Sequence, residues 1–282
     1  MSLRRKYVVL DQNVISDPTV VGPLLAAHRR IGQRIVLSTM ARFEMTKGGL
    51  EGFLTDISEL AKRPDAVFIG LPTMTLGREE IRKGGRVREI YDKPSTRNFR
   101  LLLEMITKGS ITRPDLEAGI ADEGEAAARP LRDVDWDVFY VGTADRLAAS
   151  ASEEETRRVR AGIDRKPPDR EPLREALAET FGDRARLAEL LKGVRAVSHA
   201  ADLLVSFPSV IALDFMAHVS IAYYWSVKGD TRKRRLTQMV NEGIDVEGAV
   251  LAFYAEQFAT NDGRAQGLLG DLHFFARRLW PT

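Results

Sequence analysis

Hydrophobic positions along this chain change period twice. Residues 7–10 form a short unbroken run of aromatic, β-branched and aliphatic side chains that stops at Asp11, a strand-like pattern. Residues 20–31 carry apolar positions at helical spacing, and residues 35–37 are a second strand-like run. Ser38 or Thr39 then suits a helix N-cap, with Arg42, Phe43 and Glu44 in the first turns that follow. Residues 66–69 read as a third strand. Strand, helix, strand, helix, strand predicts a parallel α/β layer.

From about residue 77 to 206 the strand-like runs almost vanish and charge density rises, as in Glu153-Glu154-Glu155-Thr156-Arg157-Arg158. Helical patterns dominate, broken at Pro167-Pro168. These charge runs suit solvated helix faces with i,i+4 pairs. The α/β texture then returns. Residues 210–227 read as a largely buried helix, on which Asp214 and His218 one turn on are either a buried, satisfied pair or groups supporting a site from behind. Asn241 to Asp245 is expected to open a further helix over 246–255. Residues 257–260 are a short strand, Asn261-Asp262-Gly263-Arg264 is the turn leaving it, and a last helix covers 268–279. The division expected is 1–76 with 207–282 as one α/β domain, and 77–206 as a helical insertion or subdomain.

Composition narrows the chemistry more than the fold. The 282 residues hold 42 Lys plus Arg against 40 Asp plus Glu, a net charge of +2, and no cysteine. Disulfides, thiolate metal sites and a cysteine nucleophile are thereby excluded. The small net charge argues against nucleic-acid binding by bulk charge, while a local basic patch stays compatible with it. The first ten residues carry a short apolar run, too brief for a signal segment, and the long apolar run at 210–227 is interrupted by Asp214 and His218. The expectation is a soluble, cytoplasmic protein without a membrane span.

Four acids sit where an α/β protein builds a site. Asp11 follows the first strand and Asp262 follows the last, so both belong to the carboxyl edge of a parallel sheet, where such folds bind ligands. Glu44 lies one to two turns into the helix after the second strand, and Asp245 lies at an expected helix start. Gathered carboxylates repel, so one keeps a proton or a cation neutralises them. An all-oxygen set without histidine or thiolate suits Mg²⁺ or Mn²⁺. Each acid taken alone also suits a turn or a cap; the inference rests on the four together. The basic stretch at 228–235, with Arg232, Lys233, Arg234 and Arg235, is placed to contact a phosphate backbone.

Other chemistries find no motif. Asn13 stands where a haloacid-dehalogenase-like phosphatase needs its second aspartate. There is no glycine-rich turn after the first strand, no phosphate-binding GxxxxGK[ST] loop, no zinc spacing among the four histidines, and no GxSxG.

The segment Val8-Val9-Leu10-Asp11-Gln12-Asn13-Val14-Ile15 resembles the opening motif of PIN-like nucleases. Ser38-Thr39-Met40-Ala41-Arg42-Phe43-Glu44 is similar to their second motif. Asn241-Glu242-Gly243-Ile244-Asp245 resembles the third, with Glu242 in place of the first aspartate, and Phe258-Ala259-Thr260-Asn261-Asp262-Gly263-Arg264 is similar to the fourth. The resemblance covers roughly 5–70 and 207–275, in the family's order, and leaves out the helical middle. It implies a three-layer α/β fold with a central parallel sheet plus a large, mainly helical insertion. It also implies metal-dependent hydrolysis of single-stranded RNA. Asp11, Glu44, Asp245 and Asp262 would hold Mg²⁺ or Mn²⁺. Asn13, Ser38, Asn241, Glu242 and Thr260 would support them, and Arg232, Lys233, Arg234, Arg235 and Arg264 would contact substrate. The alternatives are a nuclease acting on DNA and an inactive PIN-like binding or scaffold module. In either, residues 77–206 are available to a protein partner or a second copy.

Overall fold

The computed structural model describes residues 7–132, 142–194, 196–229, 236–255 and 257–281. Arg232, Lys233, Arg234 and Arg235, expected to contact substrate, lie outside the described residues.

The chain runs β1 (Tyr7–Leu10), α1 (Gln12–Ile15), α2 (Pro18–Ile31), β2 (Arg34–Leu37), α3 (Thr39–Lys47), α4 (Gly49–Ile57) and β3 (Val67–Ile69). Nine helices follow among the described residues: α5 (Thr73–Lys83), α6 (Lys93–Lys108), α7 (Arg113–Arg132), α8 (Gly142–Ser150), α9 (Glu153–Ile163), α10 (Glu171–Phe181), α11 (Arg184–Lys192), α12 (Ala201–Leu204) and α13 (Val210–Lys228). The chain closes with α14 (Leu236–Ala255), β4 (Phe258–Ala259) and α15 (Gly263–Leu279). The protein is α/β and mostly helical, with one small parallel sheet in the order β3-β2-β1-β4.

Two compact units form. The first takes 1–72, 89–134 and 247–266; the second takes 73–88, 135–246 and 267–282. Residues 89–134, expected in the helical insertion, thus cluster with the sheet, and most of α15 clusters with the helices.

In the first unit, β1 pairs in parallel with β2 (Val9 opposite Val36) and with β4 (Leu10 opposite Ala259), and β2 pairs with β3 (Leu37 opposite Ile69). Val8, Leu10, Ile35, Leu37, Val67 and Ile69 turn to one face and join a core with Ile15, Met45, Phe53, Phe99 and Leu103. Val9 and Val36, on the opposite face, are fully buried as well. Burial on both faces is why these strands read as continuous apolar runs rather than alternating ones. At Gly70, just past β3, a Cβ would stand 3.2 Å from Leu251 Cδ1 and 3.3 Å from Val36 Cγ1. A larger residue would push α14 off that face of the sheet.

Local signals set the boundaries. Asp17 caps α2 by accepting the Thr19 N–H, with Pro18 in the first turn, and Gly32 ends the helix at φ +67° in the left-handed region. Ser38 caps α3 through the Ala41 N–H at 2.9 Å, which selects Ser38 over Thr39. One boundary differs from expectation. Residues 236–255 are a single helix, so Asn241, Glu242 and Asp245 lie inside α14 rather than at a helix start. Gly243 costs a helix only about 1 kcal/mol, and the burial of Ile244, Val246, Ala249 and Val250 outweighs it.

The second unit is built on α13, which packs against α5, α8 and α9 and contacts α10 and α11. It is long and apolar enough to cross a membrane, but its apolar stretch is mostly buried in the protein, as befits a core helix. Asp214 and His218 lie 3.6 Å apart on it, and burial pushes the aspartate up and the histidine down, towards the neutral forms. Asp271 of α15, fully buried, receives Arg170 Nη2 at 2.5 Å and Arg174 Nε at 2.9 Å.

Candidate functional site

Parallel pairing of β1 with β4 brings their exits side by side. Asp11 N donates to Ala259 O at 3.0 Å, so the residues after both strands leave the sheet at the same edge. Asp11 Oδ1 accepts the Gln12 N–H at 2.8 Å, and Oδ2 accepts the Thr260 hydroxyl at 2.5 Å. Thr260 Oγ1 in turn accepts the Asp262 N–H at 2.9 Å and meets the Asn13 amide at 3.4 Å. A hydroxyl has one donor and two acceptor lone pairs, so Thr260 is fully committed. Its donor holds Asp11, and its lone pairs hold the turn that carries Asp262.

Asn13 works on that same turn, where its Oδ1 accepts the Asn261 N–H at 3.2 Å. Asn13, expected to hydrogen-bond the Asp11 loop or a metal-bound water, braces the exit from β4. Asp262 Oδ1 accepts the Arg264 N–H at 2.6 Å, and the Arg264 guanidinium approaches Oδ2 at 3.6 Å. Glu44, one turn and a half into α3, pairs with Lys47 at 2.9 Å and keeps a side chain 23% exposed. Thr260 or Ser38 was expected to orient a water or a phosphate; the buried Ser38 hydroxyl caps α3, and the Thr260 hydroxyl holds Asp11.

Electrostatics mark Asp11 as the centre of this edge. Burial is the largest influence and raises its pKa. The hydrogen bonds from Thr260 and Gln12 pull it down, and the carboxylates of Glu44 and Asp262 push it up again, leaving it above the ordinary value. Glu44 and Asp262 are therefore each close enough for their charge to act on Asp11. All their donors are oxygens, the chemistry a hard divalent cation takes. As the side chains stand, no three His, Asp or Glu among the described residues form a ready-made ligand group. The donor chemistry fits such a cation, whereas a closed ligand cage is not formed.

Asn241, Glu242 and Asp245 belong to the second unit. Glu242 is buried and lies near enough to Arg170 to favour its charge. Asp245 is half-buried, with Oδ2 shielded from solvent.

Sequence reasoning missed two acids of the first unit. Glu247, buried in α14, accepts the Met40 N–H through Oε2 at 3.1 Å, beside the Ser38 cap. An acid at the N-terminus of α3 sits at the positive end of the helix dipole. The signal for it was available: Val250, Leu251 and Tyr254, at i+3, i+4 and i+7, are apolar and buried, so a charge on that stripe calls for a partner. Asp56 near the end of α4 accepts the Gln12 amide at 3.3 Å, and burial raises its pKa. It carried no motif to betray it.

A cavity of about 220 Å³ lies among α3, α6 and α7 and is mainly apolar, with Phe53, Phe99, Leu116 and Ile120 in its wall. Arg42 pairs there with Glu123, and its pKa is lowered to about 10, by burial foremost, with Asp92 opposing. None of the expected acids lines it.

Comparison with protein-family models, with curated proteins and with solved structures finds no match for this chain.

Proposed function

We propose that the chain is a PIN-like, divalent-cation-dependent nuclease that hydrolyses phosphodiester bonds of single-stranded RNA. One observation carries the reading. Asp11 and Asp262, from opposite ends of the sequence, are tied through Thr260 at the carboxyl edge of β1 and β4, with Glu44 within electrostatic reach.

Asp11, Glu44 and Asp262 would hold Mg²⁺ or Mn²⁺, and Asp245 is the further carboxylate that the family resemblance assigns. Such an ion supplies charge neutralisation at the phosphate and activation of a water. The chain's own residues set the stage. Thr260 fixes the Asp11 carboxylate and keeps it available in the charged form. Asn13 fixes the turn that presents Asp262. Arg264 stands two residues after Asp262, its guanidinium 3.6 Å from that carboxylate, to meet a phosphate oxygen. Glu44 adds negative charge that disfavours a bare phosphate at this edge unless a cation is present.

The test is cleavage of defined single-stranded RNA and DNA in Mg²⁺ or Mn²⁺. Wild type cuts RNA, and Asp11→Asn and Asp262→Asn each lose more than the about 10–100-fold that loss of an outer-sphere partner costs. A second reading is favoured by the spread of the acids, which form no ready-made cage: a PIN-like binding module. Absence of cleavage, with both variants behaving as wild type, decides for that module.

A further inference from the structure

A separate feature of the first unit concentrates arginines and aromatic rings with little acid between them. The Arg34 guanidinium lies 4.7 Å from the Phe68 ring centroid, 5.5 Å from that of Tyr91 and 5.6 Å from that of Tyr7. Arg100 lies 4.3 Å from the same Phe68 ring. Two like charges therefore share one aromatic ring, which the quadrupole of the ring tolerates.

Both guanidiniums are fixed. Arg34 Nη1 donates to the hydroxyls of Tyr7 and Tyr91 at 3.1 and 3.4 Å. Arg100 donates from Nε to Val67 O at 2.9 Å and from Nη2 to Asp65 O at 2.7 Å. Their platform is firm as well, because Thr96 of α6 accepts the Ile69 N–H of β3 at 3.0 Å. Over this platform runs an open groove of about 530 Å³, with Tyr91, Lys93, Arg97, Arg100, Leu101 and Glu104 among its lining.

The nearby acids are engaged, Glu89 with a lysine of the groove itself. Asp65 pairs with Arg63 and His28, Glu104 with Lys108, and Glu89 with Lys93. Among the described residues, none of Arg34, Arg97 and Arg100 forms an ion pair with a carboxylate. Arg100, fixed in place, thus lines a groove of ligand size together with Arg97, while Arg34 lies behind it on the Phe68 ring. Burial, and to a lesser degree Arg34, hold the Arg100 pKa down, with Asp65 opposing; an anion in the groove would relieve that strain. None of Asp11, Glu44 and Asp262 lines the groove. Tyr7 and Arg34 start their strands, whereas Asp11 and Ser38 follow the strand ends, about 13 Å further along at ~3.3 Å per residue.

We propose that this groove binds the phosphodiester backbone of a single-stranded nucleic acid, Lys93, Arg97 and Arg100 meeting phosphates and Tyr91 presenting a ring to a base. Interleaved aromatic and guanidinium planes in an open channel are what a strand requires, because every base offers a stacking face and every linkage a charge. An acidic peptide would satisfy the charges and leave the ring unused. The binding goes beyond the acid edge and does not depend on cleavage.

The experiment is fluorescence anisotropy with a labelled single strand of about 12 nucleotides, in chelator so that no cleavage intervenes. Arg97 is exposed and holds no other element, so Arg97→Glu leaves folding intact. Affinity is expected to fall about tenfold in Arg97→Glu and further when Lys93→Glu is added, with the log–log salt slope dropping by about one per residue. Lys192→Glu, the same charge reversal on the second unit, is expected to stay within about twofold. Unchanged affinity in Arg97→Glu overturns the proposal. So does an equal loss in Lys192→Glu. Inorganic phosphate or a mononucleotide competing as tightly as the strand overturns it in favour of a small phosphorylated ligand, and equal affinity for a polyglutamate peptide overturns it in favour of a protein partner. A wild type that cuts no RNA removes the nuclease reading and leaves the groove to be judged by anisotropy alone.

Discussion

The Thr260 hydroxyl donates to Asp11 Oδ2 at 2.5 Å across 249 residues of sequence. Each residue is the first after its strand, so one hydrogen bond closes the edge where β1 and β4 end. Thr260 also accepts from the Asp262 backbone. The positions of both aspartates therefore pass through a single side chain that is 7% exposed.

Thr260→Val keeps the shape and removes the donor. Asp11 Oδ2 and the Asp262 N–H then lose a partner in a half-buried setting, at a cost of about 1–3 kcal/mol. The Thr260 bond holds the Asp11 pKa down, so the variant raises it further. Urea denaturation and a carboxyl-resolved NMR titration measure the two effects. An unchanged Asp11 titration would show that Thr260 does not position it.

The Asp11 pKa also sets a pH dependence. Its folded value lies above the ordinary one because burial outweighs its hydrogen bonds. The native state thus binds that proton more tightly than the unfolded chain does. The penalty is fully present above the folded pKa and fades as pH falls through it towards the unfolded value. Asp11→Asn removes the charge, so its stability relative to wild type is expected to be more favourable at neutral pH than near about pH 4. Denaturant midpoints at the two pH values decide; a difference of opposite sign would refute the burial argument. Cation affinity, measured by calorimetry, is expected to weaken from a higher pH than an ordinary aspartate would give, because the proton competes for the same oxygens.

Glu247 supports the start of α3. Glu247→Ala leaves the Met40 N–H without that acceptor and is expected to destabilise by about 1–3 kcal/mol. Glu247→Gln keeps a carbonyl oxygen and is expected to lose less than half of that. Equal losses in the two variants would show that charge, rather than the hydrogen bond, matters there.

In the second unit, Asp271 neutralises two arginines from full burial. Burial works against the Arg170 charge, yet Asp271 more than offsets it and its pKa rises. Asp271→Ala leaves buried guanidinium unpaired and is expected to cost about 3–5 kcal/mol. Thermal unfolding measures it, and a loss under about 1 kcal/mol would place the pair among ordinary surface bridges.

Short-range patterns in the chain carried much of the fold. The apolar runs of β1, β2 and β3 were legible because burial on both faces leaves no polar position in them. The cap before α3 was legible as Ser38 or Thr39 because a side-chain acceptor before a helical period has few other uses. That Asp11 and Asp262 leave the sheet at one edge was legible because they follow the first and last strands of a parallel layer. The continuous α14 was not, because Asn241 to Asp245 looks like a cap when burial is unknown. Glu247 was passed over for the nearby motif residue Asp245, although its apolar stripe marked it. The Arg34 and Arg100 pair shows no period at all, since one lies on β2 and the other on α6.

The sequence by itself determined which segments are strands and helices, and that acids follow the first and last strands. Those outcomes depend on neighbours within a few residues, where propensity, capping and hydrophobic period act. Only the tertiary structure decided that β4 pairs with β1, that Thr260 therefore reaches Asp11, and that two arginines stack on one phenylalanine beside an open groove. Such pairings join residues tens to hundreds of positions apart. Their energies arise from contacts made after the chain has closed on itself, and no local period records them.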